Sequence, residues 1–293
     1  MKVLVVDIGG AHVKILATGQ EQSREFPSGP KMTGRKMVAG VKKLAKDWKY
    51  DVVSIGYPGV VLGNRVVADP YNLGPGWAGF DFEAAFKRPV KVINDAAMQA
   101  LGSYKHGKML FLGLGTGLGS AMVVNGVVEP MELGHLPYRK RTFEDYVGVA
   151  GRARLGQKKW EETVKDVITR LVAALEPEVV VLGGGNVKNL KKLPPGCRAG
   201  NNVNAFVGGF RIWQKTKRHN RSTSRRNRFD SHKQTQSNPR VHKLPDGGCN
   251  CRGDHAELTR VSEMLSRFSE ISFLECLRKR KRKRIKTSNF ENH

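Results

Sequence analysis

Over residues 1 to 213 the hydrophobic positions fall into short β-branched runs separated by glycine turns and amphipathic stretches, the alternation of an α/β fold. KVLVVDI and HVKILAT flank Gly9 and Gly10 and predict a hairpin, MLFLGL and SAMVV flank a second glycine turn, and Asn125-Gly126 between AMVV and VVEP is a two-residue hairpin signal. DVVSIGY and KVINDA read as further strands, and EVVVLGGG as a buried strand entering a tight turn. Helices show in their spacing. Met37, Val38, Val41, Leu44, Ala45 and Trp48 share one face, as do Trp160, Val164, Val167, Ile168, Leu171, Val172 and Leu175.

After Trp213 this pattern stops. KTKRHNRSTSRRNRFDSHKQTQSNPR is polar and cationic without a period, so it has little apolar surface to offset chain entropy and predicts disorder. AELTRVSEMLSRFSEISFLECL has the composition of one helix, and RKRKRKR from Arg278 to Arg284 that of a nucleic-acid or nuclear-localisation segment. The favoured expectation is an aberrant extension without a selected role. The domains expected are therefore an N-terminal α/β lobe over 1–94, a C-terminal α/β lobe over 95–214, and a basic tail over 215–293.

The 293 residues carry a formal net charge of +25. Residues 215–293 hold 21 Lys and Arg against 8 Asp and Glu, leaving 30 against 18 for the rest, so both parts are basic. A basic surface suits a polyanionic partner. The apolar run at the N-terminus reaches Asp7 and two glycines too soon for a signal peptide, and no segment has the length of a membrane span. Cys197, Cys249, Cys251 and Cys276 follow no metal or disulfide framework, and CNCRGDH lacks further ligands at zinc spacing. A reduced, cytoplasmic protein is expected.

Three places carry chemistry. Asp7-Ile8-Gly9-Gly10 leaves a strand and turns tightly, with Lys14 following; glycines let backbone N–H groups approach an anion, and the carboxylate suits a metal ion. FLGLGTGLGSAM crowds Gly113, Gly115, Thr116, Gly117 and Gly119 between two apolar runs. A strand-like run follows it, so it is not a dinucleotide fingerprint, and it lacks the Gly-Lys-Ser/Thr ending of a P-loop. Two such turns, each opening an α/β unit, suggest a duplicated architecture with phosphate held between two lobes. Between them, VKVINDAAMQALGSY joins a strand to a helix at Asn94-Asp95. Asp95 reads as a helix cap, and also as a group aimed into the crevice where open α/β sheets bind ligands.

DIGGAHVK, GYPG at Gly56 to Gly59, INDAAMQALGSY, LGLGTGLGSA and ELGH at Glu132 to His135, in this order, resemble the sugar kinases of the ROK family. NLGPGWAGFDFE, ELGHLPYRKRTFEDYVG and VVLGGGNVKNLKKLPPGC are most similar to its polyphosphate glucokinases. The resemblance covers nearly all of residues 1–214 and none of the tail. It implies a two-lobed actin-like, ribonuclease-H-like fold closing over a hexose and a phosphoryl donor. It further implies Asp95 as the base acting on the 6-hydroxyl of glucose. Asn94, Glu132, His135 and Glu144 would bind the sugar. Asp7, Gly9, Gly10, Lys14, Gly115, Thr116 and Gly117 would hold the donor phosphates, with Mg²⁺ at Asp7.

The implied partners are glucose, polyphosphate or ATP, and a second copy of the chain in a homodimer, with nucleic acid engaged only through the tail. The surplus of positive charge favours polyphosphate, with Lys31, Arg35, Lys36, Lys158 and Lys159 as candidate contacts. Two departures from the family stand out: Ala11 replaces the Thr or Ser of many relatives, and LPYRKRTFEDYVG lacks the cysteines of the family's zinc site, so no zinc is expected. The competing functions are a sugar-responsive DNA-binding repressor, which would need a reading head where the first strand starts at Lys2, and an impaired ROK-type sugar-binding or regulatory protein whose tail binds nucleic acid.

Overall fold

A computed structural model describes residues 1–214 other than 202. The expectations for the basic tail, including its disorder, its one helix, RKRKRKR and Cys249, Cys251 and Cys276, lie outside the described residues. None of the described helices is long and apolar enough to cross a membrane.

The chain begins with β1 (Val3–Ile8), β2 (His12–Ala17) and β3 (Arg24–Pro27), then α1 (Gly34–Leu44), β4 (Val52–Tyr57), the small β5 (Val61–Leu62) and β6 (Arg65–Val66), α2 (Phe82–Phe86) and β7 (Val90–Asn94). It continues with α3 (Asp95–Ser103), β8 (Lys108–Leu114), β9 (Leu118–Val124), β10 (Val127–Met131), β11 (Pro137–Tyr138), β12 (Arg141–Thr142), α4 (Phe143–Val147) and α5 (Val149–Leu155). α6 (Gln157–Leu175), β13 (Val179–Gly183), β14 (Cys197–Ala199) and α7 (Asn204–Arg211) complete it.

Two five-stranded sheets share one topology: β3-β2-β1-β4-β7 and β10-β9-β8-β13-β14. In each, two hairpin pairings are antiparallel and the two crossover pairings parallel. This is the duplicated architecture expected from the paired glycine turns. Asn125 and Gly126, at φ 51° and 83°, make the turn between β9 and β10, a backbone that the Asn-Gly pair tolerates.

Alternation along the strands decides what each sheet buries. Leu4, Val6 and Ile8 pack with Met37, Val38 and Val41 of α1, while Val3 and Val5 point the other way, toward Met98 of α3 and Ala205 and Phe206 of α7. In the second sheet Leu110, Leu112 and Leu114 pack with Trp160, Val164 and Val167 of α6, while Met109 and Phe111 meet Ala96, Ala97 and Ala100 of α3. α3 therefore has one flank on each sheet. Its first residue is Asp95.

The crossing of α3 with α7 depends on missing side chains. A Cβ on Gly102 would run into the Asn204 carbonyl, one on Gly208 into the Met98 carbonyl, and one on Gly209 into Val5. Three glycines thus let α7 wedge between α3 and β1. The sequence pattern did not reveal α7, because its apolar residues are too few for a periodic signal over eight positions.

Two features differ from the expected helix faces. α1 stops at Leu44, so Trp48 is not helical; it is nevertheless buried, with its amide donating to the Ala45 carbonyl at 2.9 Å. Val172 is 36% exposed at the margin of the α6 stripe rather than in the core.

Candidate active site

β7 ends and α3 begins at the seam Asn94-Asp95. The cap is Asn94, not Asp95: Asn94 Oδ1 accepts the Ala97 amide at 3.1 Å, while Nδ2 donates to the Gly59 carbonyl at 3.2 Å. Asp95 is the first helical residue, with Oδ1 accepting the Ala96 amide at 2.8 Å. The Asn cap leaves the carboxylate free of the capping bond. It faces a cleft of about 270 Å³ lined by both sheets' loops.

Burial pushes the Asp95 carboxyl up to about 7; the nearby charge of Asp7 adds to the rise, the Ala96 amide opposes it, and Glu132 contributes further. Asp7, at the end of β1, rises to about 6 through burial, partly countered by Lys14. Among the described residues the Asp7 side chain has no hydrogen-bond partner. Two carboxylates with raised affinity for protons, Asp95 lining the cleft and Asp7 close enough to act on it by charge, mark a place where a cation or a proton would be welcome. Register explains the setting of Asp7: Asp7, Lys14 and Glu25 are cross-strand neighbours on β1, β2 and β3, and Lys14 Nζ lies 3.9 Å from Glu25.

On the other side, Glu132 follows β10, His135 closes a 3₁₀ turn, and Glu144 lies in the first turn of α4. His135 Nδ1 is 3.8 Å from Glu132 and Nε2 3.6 Å from Glu144, too long for hydrogen bonds yet close enough to form one cluster. Burial raises the Glu132 carboxyl, with His135 opposing and Glu144 adding. A capping box between Thr142 and Asp145 fixes the start of α4 and so the height of Glu144. Gly117 makes room for it, since a Cβ there would strike Glu144 Oε2, while Gly134 lets the 3₁₀ turn pack on the Leu118 carbonyl.

The glycine turns act through close approach. Gly9, Gly10, Gly115 and Gly117 all have ordinary φ. Two amides are already engaged: Gly9 N–H donates to the His12 carbonyl at 2.9 Å and Gly115 N–H to the Gly117 carbonyl at 3.2 Å. Of the predicted residues, Gly10, Asn94, Asp95, Gly115, Thr116 and Gly117 line the cleft, together with Glu132 and Glu144. Asp7, Gly9, Lys14 and His135 stand outside that lining, Lys14 being drawn along the sheet toward Glu25.

Sequence reasoning missed Asn72, Gln99 and Asn186. Asn72 and Gln99 line the cleft, Gln99 one helical turn beyond Asp95. Asn186, 8% exposed, donates from Nδ2 to the Gly115 carbonyl at 3.0 Å and fixes the second turn from behind. A buried asparagine straight after Gly183-Gly184-Gly185 was the available signal.

The model of the ROK family matches residues 3–152, just over half of the chain. The chain belongs to the ROK family. Among curated relatives, the polyphosphate glucokinase of Mycobacterium tuberculosis is 27% identical over 158 residues, covering 49% of this chain and 59% of that relative, so the match spans less than two thirds of its length. The glucokinase of Pyrobaculum calidifontis is 26% identical over 239 residues, covering 64% of this chain and 80% of the relative. The inorganic polyphosphate/ATP-glucomannokinase of an Arthrobacter strain superimposes with a TM-score of 0.62 at 24% identity, over 71% of this chain and 96% of that structure. The fold is the two-lobed actin-like fold that the motifs implied for this ROK member.

Proposed function

We propose that this ROK protein is a glucokinase that moves a phosphoryl group from polyphosphate, and with lower preference ATP, to the 6-hydroxyl of glucose. The observation that carries the reading is Asp95, a carboxylate held near pKa 7 on the first turn of the helix between the two sheets, between glycine turns and a Glu-His-Glu cluster. The lobes of this reading are residues 1–94 and 95–214, with α7 crossing back onto β1.

In this mechanism Glu132, His135 and Glu144 hydrogen-bond the ring hydroxyls, and Asn94 holds the Gly59 loop against the sugar. Asp95 accepts the proton of the 6-hydroxyl as that oxygen attacks the terminal phosphorus, and the bond from phosphorus to the donor's bridging oxygen breaks in line. Its raised pKa makes it a better proton acceptor than an ordinary carboxylate while leaving much of it ionised at neutral pH. The unengaged amides of Gly10, Thr116 and Gly117 orient the donor phosphates.

The residues fit a magnesium ion. Asp7 offers a carboxylate with no hydrogen-bond partner among the described residues, next to Asp95, and Mg²⁺ takes one or two carboxylates and completes its shell with phosphate and water. Bound there it would neutralise charge on the donor phosphates. A coupled assay of glucose phosphorylation with polyphosphate and with ATP tests the function. Turnover with polyphosphate supports it. No turnover with either donor sinks it, and a rate with ATP that matches or exceeds every polyphosphate length sinks the choice of donor.

A further inference from the structure

The amino edge of the first sheet, opposite the edge where Asp95 stands, carries a cavity of about 590 Å³ that the proposed reaction does not use. The route to it is set by topology. β3 runs parallel to β1 and ends at Pro27, paired with His12 next to the glycine turn, so α1 starts at the catalytic edge and runs back along the sheet. Its last turn, the segment before β4 and the turn after α2 enclose the cavity.

Lys42, Lys46, Lys49, Lys87 and Arg88 line this space against a single acid, Asp51. Asp51 already accepts the Lys2 amide at 2.7 Å, and the neighbouring Asp47 is taken by Arg24 at 2.5 and 2.7 Å. Among the described residues none of the five cations has a carboxylate within 4.0 Å. Lysines at the end of a helix ordinarily answer its dipole, which accounts for Lys42. It does not account for Lys49, Lys87 and Arg88, which arrive from other segments into one concave space. Like charges gathered there repel unless an anion sits among them.

The exposed side of α1 joins this cavity to the catalytic edge. Lys31, Arg35 and Lys36 are at its start and Lys42, Lys43 and Lys46 at or beyond its end, a span of roughly 16 Å for eleven helical residues. Lys36 Nζ donates to the Lys31 carbonyl at 3.1 Å, which holds the entry of the track together.

We propose that the cavity is a second binding site for a chain of linked phosphates, which runs along α1 from the reacting end beside Asp95 and is gripped by Lys46, Lys49, Lys87 and Arg88. This rests on the reading of polyphosphate as donor, and it separates long chains, which reach both sites, from short ones, which reach only the cleft. An inorganic chain fits better than a nucleic acid because Trp48 and Phe86 are buried and Tyr50 is half-buried, so the cavity offers charge without open ring faces on which bases stack.

The test uses the full chain and the triple variant Lys46→Gln, Lys49→Gln, Lys87→Gln. Lysine acetylation read by mass spectrometry resolves each amine, so binding by the basic tail does not obscure the result. Long-chain polyphosphate is expected to slow modification of Lys46, Lys49 and Lys87 while tripolyphosphate does not, and the triple variant to raise KM for the long chain by roughly tenfold with kcat, and KM for tripolyphosphate and ATP, unchanged. Unprotected lysines, equal protection by tripolyphosphate, or stronger protection by an RNA oligonucleotide of equal charge overturns the site. Protection by the long chain without glucose phosphorylation from any polyphosphate keeps the site and removes the donor reading, so the two failures are distinct.

Discussion

The Asn94 side chain donates to the Gly59 carbonyl at 3.2 Å, so the residue that caps α3 also pins the loop after β4 beside the cleft. One amide therefore sets both the start of the helix that carries Asp95 and the position of a cleft-lining loop. Asn94→Asp keeps an acceptor for the Ala97 amide but loses the donor to Gly59. It is expected to hold thermal stability near that of the parent while KM for glucose rises. Asn94→Ala should lose about 1 kcal/mol of stability as well, the usual cost of an N-cap. Thermal unfolding and glucose kinetics on the two variants separate the roles.

Removing the proposed base should show in the rate and its pH dependence. Asp95→Asn is expected to lower kcat by roughly two orders of magnitude or more. In the parent, kcat/KM for glucose should rise with pH and level off above about 7, because the carboxylate must be ionised to accept the proton. A variant with parental turnover, or a parent profile flat from pH 5 to 8 (about the interval bracketing that value), rules out the assignment.

The same carboxylate makes a prediction about stability with the opposite benefit. Its folded pKa is raised from 3.8 to about 7, so between those values the folded chain binds more protons than the unfolded one, and stability falls as pH rises through that window. Above it the ionised buried group is a standing cost that Asp95→Asn lacks. The variant should melt higher than the parent at pH 8 and show little difference at about pH 4, below which both forms of the carboxyl are protonated.

Glu144 and Glu132 reach the cleft from different elements and meet around His135. Glu144→Gln keeps size and removes charge, and is expected to raise KM for glucose about tenfold with a smaller change in KM for the donor. Equal changes in both would place Glu144 outside the sugar site.

Ala11 lies beside Ser28, whose amide donates to the Ala11 carbonyl at 2.8 Å and whose buried hydroxyl has no hydrogen-bond partner among the described residues. A hydroxyl at position 11 would stand next to Gly10, which lines the cleft and is proposed to meet the donor. Ala11→Thr is expected to lower KM for the phosphoryl donor by about fivefold, the effect of one hydrogen bond worth about 1 kcal/mol, with KM for glucose unchanged. An unchanged donor KM would show that position 11 does not touch the phosphates.

Much of this molecule was legible because local chemistry and tertiary use coincide. Asp7-Ile8-Gly9-Gly10 and Asn125-Gly126 specify their turns from within a few residues, and the α6 stripe from Trp160 to Leu171 reads directly as a buried face. Asn94 and Asp95 were found because they stand at the end of a strand, and Glu132 through the resemblance of Glu132 to His135 to a family motif. What stayed hidden depends on partners distant in sequence. Asn186 matters through the Gly115 carbonyl 71 residues away, and Lys49 joins Lys87 only when α1 and α2 lie side by side. The choice between Asn94 and Asp95 as cap was likewise invisible, since both side chains suit the position and the geometry of β7 decides.

The glycine-lined crossing of α3 and α7 has a consequence for how the chain comes to its native state. Val3 and Val5, on the first strand, find their cover in Ala205 and Phe206, some two hundred positions later. One side of the earliest sheet must wait, apolar and open, for the latest described helix, a long-range dependence of the kind that slows folding and invites association with other chains in the interval. Truncation before residue 204 would therefore uncover β1 as well as remove α7.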